Sequence, residues 1–328
     1  MNASGSEDGD EVVDVPLPKE KWSGKIGVVV LGATPEEGGT RSASLRIGGS
    51  TGMPFLSYEG VSPNRPLIAG EVLDVPSDLP EQVRQEFGAC VEDPAEWARC
   101  WVEEHDADLI CLKLLSTNPD EGDTSPEEAA RTVQRVLAAV KVPLIVYGCG
   151  NEEKDAKVMQ AVSSAAPKER LLLGHAEEAA YKSIAAAAMA NDHAIISFAN
   201  LDVNLSKQIN ILLTDFGVRK DRIVLDPLFA ALGMGLEYSY SVMERIRLAA
   251  LMSDAMLQVP MVCDTTSAWK AKEASEEIEG HEGLEERAVW WEVATALAAL
   301  IAGGDMLIMR SPRSAAIVRR AIDELRGS

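Results

Sequence analysis

Basic residues are scarce in this sequence. Its 31 Lys and Arg face 52 Asp and Glu, a formal charge of −21 over 328 residues with a pI near 4.6. Such a surface repels phosphate backbones and anionic lipid, which argues against nucleic acid and membrane surfaces as partners. Cysteine is sparse as well. Cys90, Cys100, Cys111, Cys149 and Cys263 make an odd count with no C-x-x-C pair. That speaks against a disulfide framework, a zinc ribbon or an iron–sulfur cluster held by this chain alone. No apolar run approaches the roughly 20 residues a membrane helix needs, and no signal peptide is visible. The expected setting is reducing cytoplasm. Aromatic residues make up only 5% of the chain, but the apolar share of 46% is enough to fill a sizeable core.

What is present falls into three parts. Residues 1–22 form an acidic tail, expected to be disordered. Residues 23–65 hold two short apolar runs, at 25–31 (KIGVVVL) and 42–47 (SASLRI), read as a small β-hairpin cap over one end of the domain. From residue 66 to 328 one theme repeats: a short apolar run, a polar loop, an amphipathic helix. The runs lie at 67–73, 109–115, 144–147, 171–174, 194–198, 223–225, 261–263 and 306–309. Eight strands separated by helix-length segments are what a closed parallel (β/α)8 or TIM barrel requires. A doubly wound sheet is the lesser option. Helix punctuation agrees: Ser125-Pro126-Glu127-Glu128 is a capping box with a first-turn proline, and Gly303-Gly304 closes the helix before the last strand. An acidic insertion at 273–283 reads as a surface excursion.

In this architecture ligands bind where strands finish. The strand ends read Glu71 and Asp74; Lys113; Tyr147 with Cys149 and Asn151; His175; Asn200 and Asp202; Asp226; Asp264, Thr265 and Thr266; and Arg310. After Asp226 comes an apolar loop with Leu232, Gly233, Met234 and Gly235, unusual for a connection washed by water. The polar ring admits several chemistries and a bland reading for each. Lys113 suits a Schiff base, but a lone lysine there more often pairs with a carboxylate. His175 stands alone among strand-end histidines, too few for a metal hydrolase. The loops at 264–269 and 311–313 lack glycine, against a sugar-phosphate site. Cys149 as a nucleophile needs a base beside it, whereas Gly148 and Gly150 suit a tight turn and Asn151 a helix cap. Asp226 beside Pro227 is an ordinary turn former, so it reads equally as a cap.

Several segments together resemble one family: 28–42 (VVVLGATPEEGGTRS), 64–74 (NRPLIAGEVLD), 107–114 (ADLICLKL), 146–155 (VYGCGNEEKD), 171–183 (LLLGHAEEAAYKS), 201–213 (LDVNLSKQINILL), 233–251 (GMGLEYSYSVMERIRLAAL) and 269–275 (WKAKEAS). They look like the small subunit of the corrinoid iron–sulfur protein, the delta subunit of acetyl-CoA decarbonylase/synthase. The resemblance implies a TIM barrel paired, as a heterodimer, with a large subunit that carries a [4Fe-4S] cluster and a corrinoid domain. A cobamide then lies between that domain and the top of this barrel. The pair carries a methyl group from methyltetrahydrofolate, via a methyltransferase, to acetyl-CoA synthase in the reductive acetyl-CoA pathway.

Where relatives often read L-G-N-A after the fourth strand, this chain has Gly174-His175-Ala176. In pterin-binding barrels an amide at that level and a carboxylate at the sixth strand help hold the pterin; Asp226 matches the second role and His175 does not match the first. Two readings follow. The first is a non-catalytic subunit that shields and positions a cobamide, contacted by the ring and by the 232–235 loop. The alternative is a pterin-dependent corrinoid methyltransferase using Asp226 and Asn200. His175 raises the question of an axial cobalt ligand, although the resemblance implies cobalt kept without one.

Overall fold

The computed structural model describes residues 18–77, 79–277 and 283–327, so most of the expected acidic tail lies outside the described residues. Strands β1 (Val28–Leu31) and β2 (Leu45–Gly48) pair antiparallel. The eight strands that follow are parallel: β3 (Leu67–Leu73), β4 (Leu109–Lys113), β5 (Leu144–Tyr147), β6 (Leu172–Ala176), β7 (Ala194–Phe198), β8 (Ile223–Asp226), β9 (Val262–Asp264) and β10 (Met306–Met309). Their spatial order is β8-β7-β6-β5-β4-β3-β10-β9. A single bridge, Leu225 to Met261, closes β8 onto β9. The architecture is a TIM barrel with an N-terminal β-hairpin.

Side-chain alternation sorts each strand into an inner and an outer row. Leu67, Ala69, Leu109, Cys111, Ile145, Leu172, Ala194, Ile196, Val224, Val262, Met306 and Ile308 point into the barrel and fill it. Their neighbours Ile68, Val72, Ile110, Leu112, Val146, Leu173, Leu225 and Leu307 face the helices. Val29, Leu31 and Ile47 of the hairpin join the inner cluster, so the hairpin plugs the barrel at the N-terminal ends of its strands. Each of these three buried side chains contributes about 2 kcal/mol of transfer free energy. Arg41 fastens the hairpin from outside. Its buried guanidinium pairs with Glu169 at 2.9 Å and donates to the Leu137 and Val140 carbonyls at 2.8 and 2.7 Å.

Ten helices among the described residues surround the strands: α1 (Glu81–Phe87), α2 (Pro94–Glu103), α3 (Pro126–Ala139), α4 (Glu152–Ala165), α5 (Tyr181–Ala190), α6 (Val203–Phe216), α7 (Leu236–Leu251), α8 (Lys272–Ser275), α9 (Leu284–Ala302) and α10 (Pro312–Arg326). The expected capping box is made, with the Glu128 amide donating to Ser125 Oγ at 3.2 Å. Gly303 ends α9 at φ +115°. Some strand ends differ from expectation. The first hairpin strand begins at Val28, and β4 stops at Lys113 because Leu115–Thr117 turns as a 3-10 helix. The acidic excursion includes α8, while 278–282 lie outside the described residues. No helix among the described residues is long and apolar enough to cross a membrane.

Candidate functional site

The inner row ends, at the C-terminal mouth, on Glu71, Lys113, Tyr147, Phe198, Asp226, Asp264 and Arg310. Two linked networks result. In the first, Lys113 Nζ donates to Glu71 Oε1 and Asp264 Oδ2, each at 2.6 Å, and to Thr266 Oγ1 at 3.1 Å. Arg310 donates through Nε and Nη2 to the two oxygens of Glu71, the latter at 3.0 Å. Two cations face two carboxylates, so the cluster is neutral. Burial alone pushes the Glu71 carboxyl up, but Arg310 and Lys113 outweigh it and hold it at about 2. Burial likewise disfavours the Lys113 ammonium, yet Asp264 and Glu71 overcome it and raise the lysine above its ordinary value. Lys113 is therefore a fixed cation. A Schiff base needs a neutral amine, so this geometry opposes the aldolase chemistry.

The second network centres on Asp226. Its Oδ1 accepts the Leu228 amide at 2.9 Å, and its Oδ2 lies 3.4 Å from the Tyr147 hydroxyl and 3.2 Å from His175 Nε2. His175 owes its position to an irregularity. Strict alternation from Leu172 would turn it outward, but the β6–β7 register shifts between Leu173 and Ala176. The bulge re-aims the ring. It rests between Tyr147 and Phe198, with centroids 4.3 and 4.8 Å away. Burial and then Asp226 raise the Tyr147 phenol well above its usual value, so it stays a donor. Lys113 Nζ sits 6.0 Å from the Tyr147 ring centre and joins the two networks.

Behind Arg310 stands Glu292 of α9, fully buried. Its carboxylate accepts the Arg310 amide at 2.6 Å and the Ser311 amide at 3.2 Å. Burial raises it to about 7.

Other candidate residues sit elsewhere. Asn151 accepts from the Lys154 amide and Asp202 from those of Asn204 and Leu205, so they cap α4 and α6. Cys149 lies in a turn held by Asp155, which accepts the Cys149 and Gly150 amides at 2.9 Å each. Burial raises its thiol, and the carboxylate beside it adds to this. Thr265 faces away from the mouth and donates to the Ile308 carbonyl at 2.8 Å. Asn200 is exposed on the loop before α6.

The 227–235 loop is pinned at both ends. Leu228 adopts φ +63°, unfavourable for a γ-branched side chain, and its amide is held by Asp226. Trp291 Nε1 donates to the Leu232 carbonyl at 2.8 Å, and the Leu232 amide donates to Thr295 at 3.2 Å. Gly233 and Gly235, at φ +82° and +99°, let the chain turn into α7. Leu232 and Met234 are left 36% and 48% exposed.

Residues 28–320 match the family described as CO dehydrogenase/acetyl-CoA synthase delta subunit. The acetyl-CoA decarbonylase/synthase complex subunit delta of Methanosarcina mazei is 39% identical over 316 residues, 94% of this chain and 72% of that protein. The subunit delta of Archaeoglobus fulgidus is 38% identical over 317 residues, 94% of this chain and 70% of that protein. The chain belongs to the CO dehydrogenase/acetyl-CoA synthase delta subunit family. Among solved structures it resembles a Xanthomonas albilineans dihydropteroate synthase with 4-aminobenzoic acid (TM-score 0.58, 17% identity, 84% of this chain and 98% of that one). A Yersinia pestis dihydropteroate synthase in a sulfonamide complex gives 0.57 and 16%, over 82% of this chain and 96% of that one. At such identities the likeness concerns the fold alone.

Within this delta-subunit chain, Phe198 against His175 and Glu292 behind Arg310 are mouth residues that the strand-end reading did not name. Glu71 was visible as a strand-end acid and is the hub of the charged cluster. Glu292 left one signal, a single acid inside the apolar 288–302 stretch of α9.

Proposed function

We propose that this chain is the small subunit of a corrinoid iron–sulfur methyl carrier, and that its barrel mouth shields and positions a cobamide shared with the large subunit. The large subunit holds the iron–sulfur cluster. A methyltetrahydrofolate methyltransferase and acetyl-CoA synthase are the transient partners. The observation that carries this reading is the exposed apolar Leu232–Met234 segment beside the charge-balanced Lys113–Arg310–Glu71–Asp264 cluster at the strand ends. A corrin presents apolar faces and an amide rim, and this combination fits it: apolar contact from Leu232 and Met234, with Tyr238 and Trp290 exposed on the flanking α7 and α9. The bound cobamide supplies the cobalt that takes up and releases the methyl group.

The chain's own groups make a rigid floor. Lys113, Arg310, Glu71 and Asp264 satisfy one another, and His175 is engaged by Asp226, which favours a supporting role over cobalt ligation. The direct pterin-dependent methyltransferase fits less well. Asp226 is only 3% exposed and both its oxygens are engaged, while Asn200 is exposed on the loop after β7.

The test is co-expression with the large subunit. The purified heterodimer is expected to carry a cobamide, and Leu232→Asp with Met234→Asp to lower corrinoid absorbance per heterodimer several-fold without separating the subunits. Wild-type corrinoid content in that double variant, or in the large subunit alone, overturns the shielding role. Methyl transfer from methyltetrahydrofolate to free reduced corrinoid by the isolated chain would instead establish the pterin reading.

A further inference from the structure

Far from the mouth, on the outer wall beside β3, three ligand-type side chains converge and a fourth lies against one of them, without a role in the networks above. Cys100 lies in α2, Glu104 is its C-cap, and His105 follows. One ligand atom from each of these three lies within 4.8 Å of the other two. Cys90, in the 3-10 turn Gly88–Glu92 that packs along α2, places its sulfur 3.0 Å from that of Cys100. His105 Nε2 is buried without a hydrogen-bond partner. Its ring is held edge-on by Phe87 and Trp101, at 5.5 and 6.0 Å between centroids. An unpaired buried ring nitrogen costs on the order of 1–3 kcal/mol.

We propose that Cys90, Cys100, Glu104 and His105 form a structural site for a zinc-class divalent cation. Ligand type decides the class. Two sulfurs, an imidazole and one carboxylate suit a borderline-soft ion, whereas calcium and magnesium take oxygen. Around tetrahedral zinc, with bonds of about 2.0–2.3 Å, ligand atoms sit roughly 3.3–3.8 Å apart. The two sulfurs are 3.0 Å apart and the Cys100, Glu104 and His105 ligand atoms lie within 4.8 Å of one another, so side-chain rotation would close the site. Binding releases one proton from each thiol to solvent and changes no oxidation state. The ion would tie the 3-10 turn to the last turn of α2, bracing the excursion that separates β3 from β4.

The test uses the purified full-length chain, reduced, stripped with chelator and titrated anaerobically with Co2+ alone. We expect one equivalent to saturate with thiolate-to-cobalt charge-transfer and tetrahedral d–d absorption, bleached by added Zn2+. Cys90→Ser and Cys100→Ser should each remove about half the charge-transfer intensity, and His105→Gln should shift the d–d bands. Zn2+ should raise the melting temperature of the wild type and not that of Cys100→Ser. Because Cys90 is half-buried, Cys90→Ser keeps the test valid if Cys100→Ser fails to fold. The proposal falls if the wild type shows no saturable band. It falls too if the band survives both serine variants and vanishes in Cys149→Ser, or if anaerobically isolated protein contains a Cys90–Cys100 disulfide.

Discussion

Glu292 and Glu71 are both fully buried carboxyls, and they shift in opposite directions because Arg310 and Lys113 donate directly to Glu71 whereas Glu292 accepts backbone amides. Glu71 is held at about 2 by Arg310 and Lys113. Glu292 rises to about 7 because burial outweighs the backbone amides it accepts. Unfolded, a glutamate titrates near 4.5. Between that pH and about 7 the native state therefore holds a proton at Glu292 that the unfolded chain has lost, so this residue lowers stability as pH rises and the loss levels off above 7. Buried His193, lowered to about 4, acts in the opposite sense between 4 and 6.5, so a single pH profile mixes the two. The difference between proteins separates them. Urea unfolding of Glu292→Gln and wild type at pH 5, 6, 7 and 8 is expected to favour the glutamine variant progressively up to pH 7 and no further. A pH-independent difference would mean that Glu292 stays ionised throughout.

Residue positions were legible where strand alternation applies. Lys113, Asp226, Asp264 and Arg310 share the inner parity of their strands, and the fold brings them to one mouth. Thr265 is one residue off that parity and bonds to its neighbour strand instead. Asn151 and Asp202 lie beyond their strands, where the same residue types serve equally as helix caps. His175 reached the mouth through a bulge that sequence alternation does not encode. Glu292 comes from a helix, outside any strand-end survey.

At the scale of elements, the β3–α2 contact depends on one missing side chain. A Cβ built on Gly70 would lie 2.4 Å from the Trp101 ring, whose Nε1 donates to the Glu71 carbonyl at 2.9 Å. Gly70→Ala is expected to push the indole outward, at a cost on the order of 1–3 kcal/mol. A lowered urea midpoint with unchanged slope would register this; an unchanged midpoint would mean that the helix yields freely. The number and order of barrel elements could be read from the repeated apolar run and amphipathic segment, since eight buried strands impose that rhythm. Their ends could not. The turn at Leu115–Thr117 continues an apolar run after the ladder has stopped, and hydrophobicity alone does not separate the two.

For the whole molecule, the hairpin plug and the strand-end clusters close the barrel's two ends unequally around its circumference. Glu71, Lys113, Asp264 and Arg310 tie together β3, β4, β9 and β10 with ion pairs. The β8–β9 border has one bridge and a three-residue strand. Backbone hydrogen exchange is expected to be faster for the Leu225 amide, which crosses that border to Pro260 at 2.9 Å, than for amides on the β3–β4 border. Equal protection on both borders would contradict this. The barrel is thus a split ring, riveted on one side and merely abutted on the other. The 227–235 loop begins at the split, so whatever presses on Leu232 and Met234 bears on the point where the ring yields most readily.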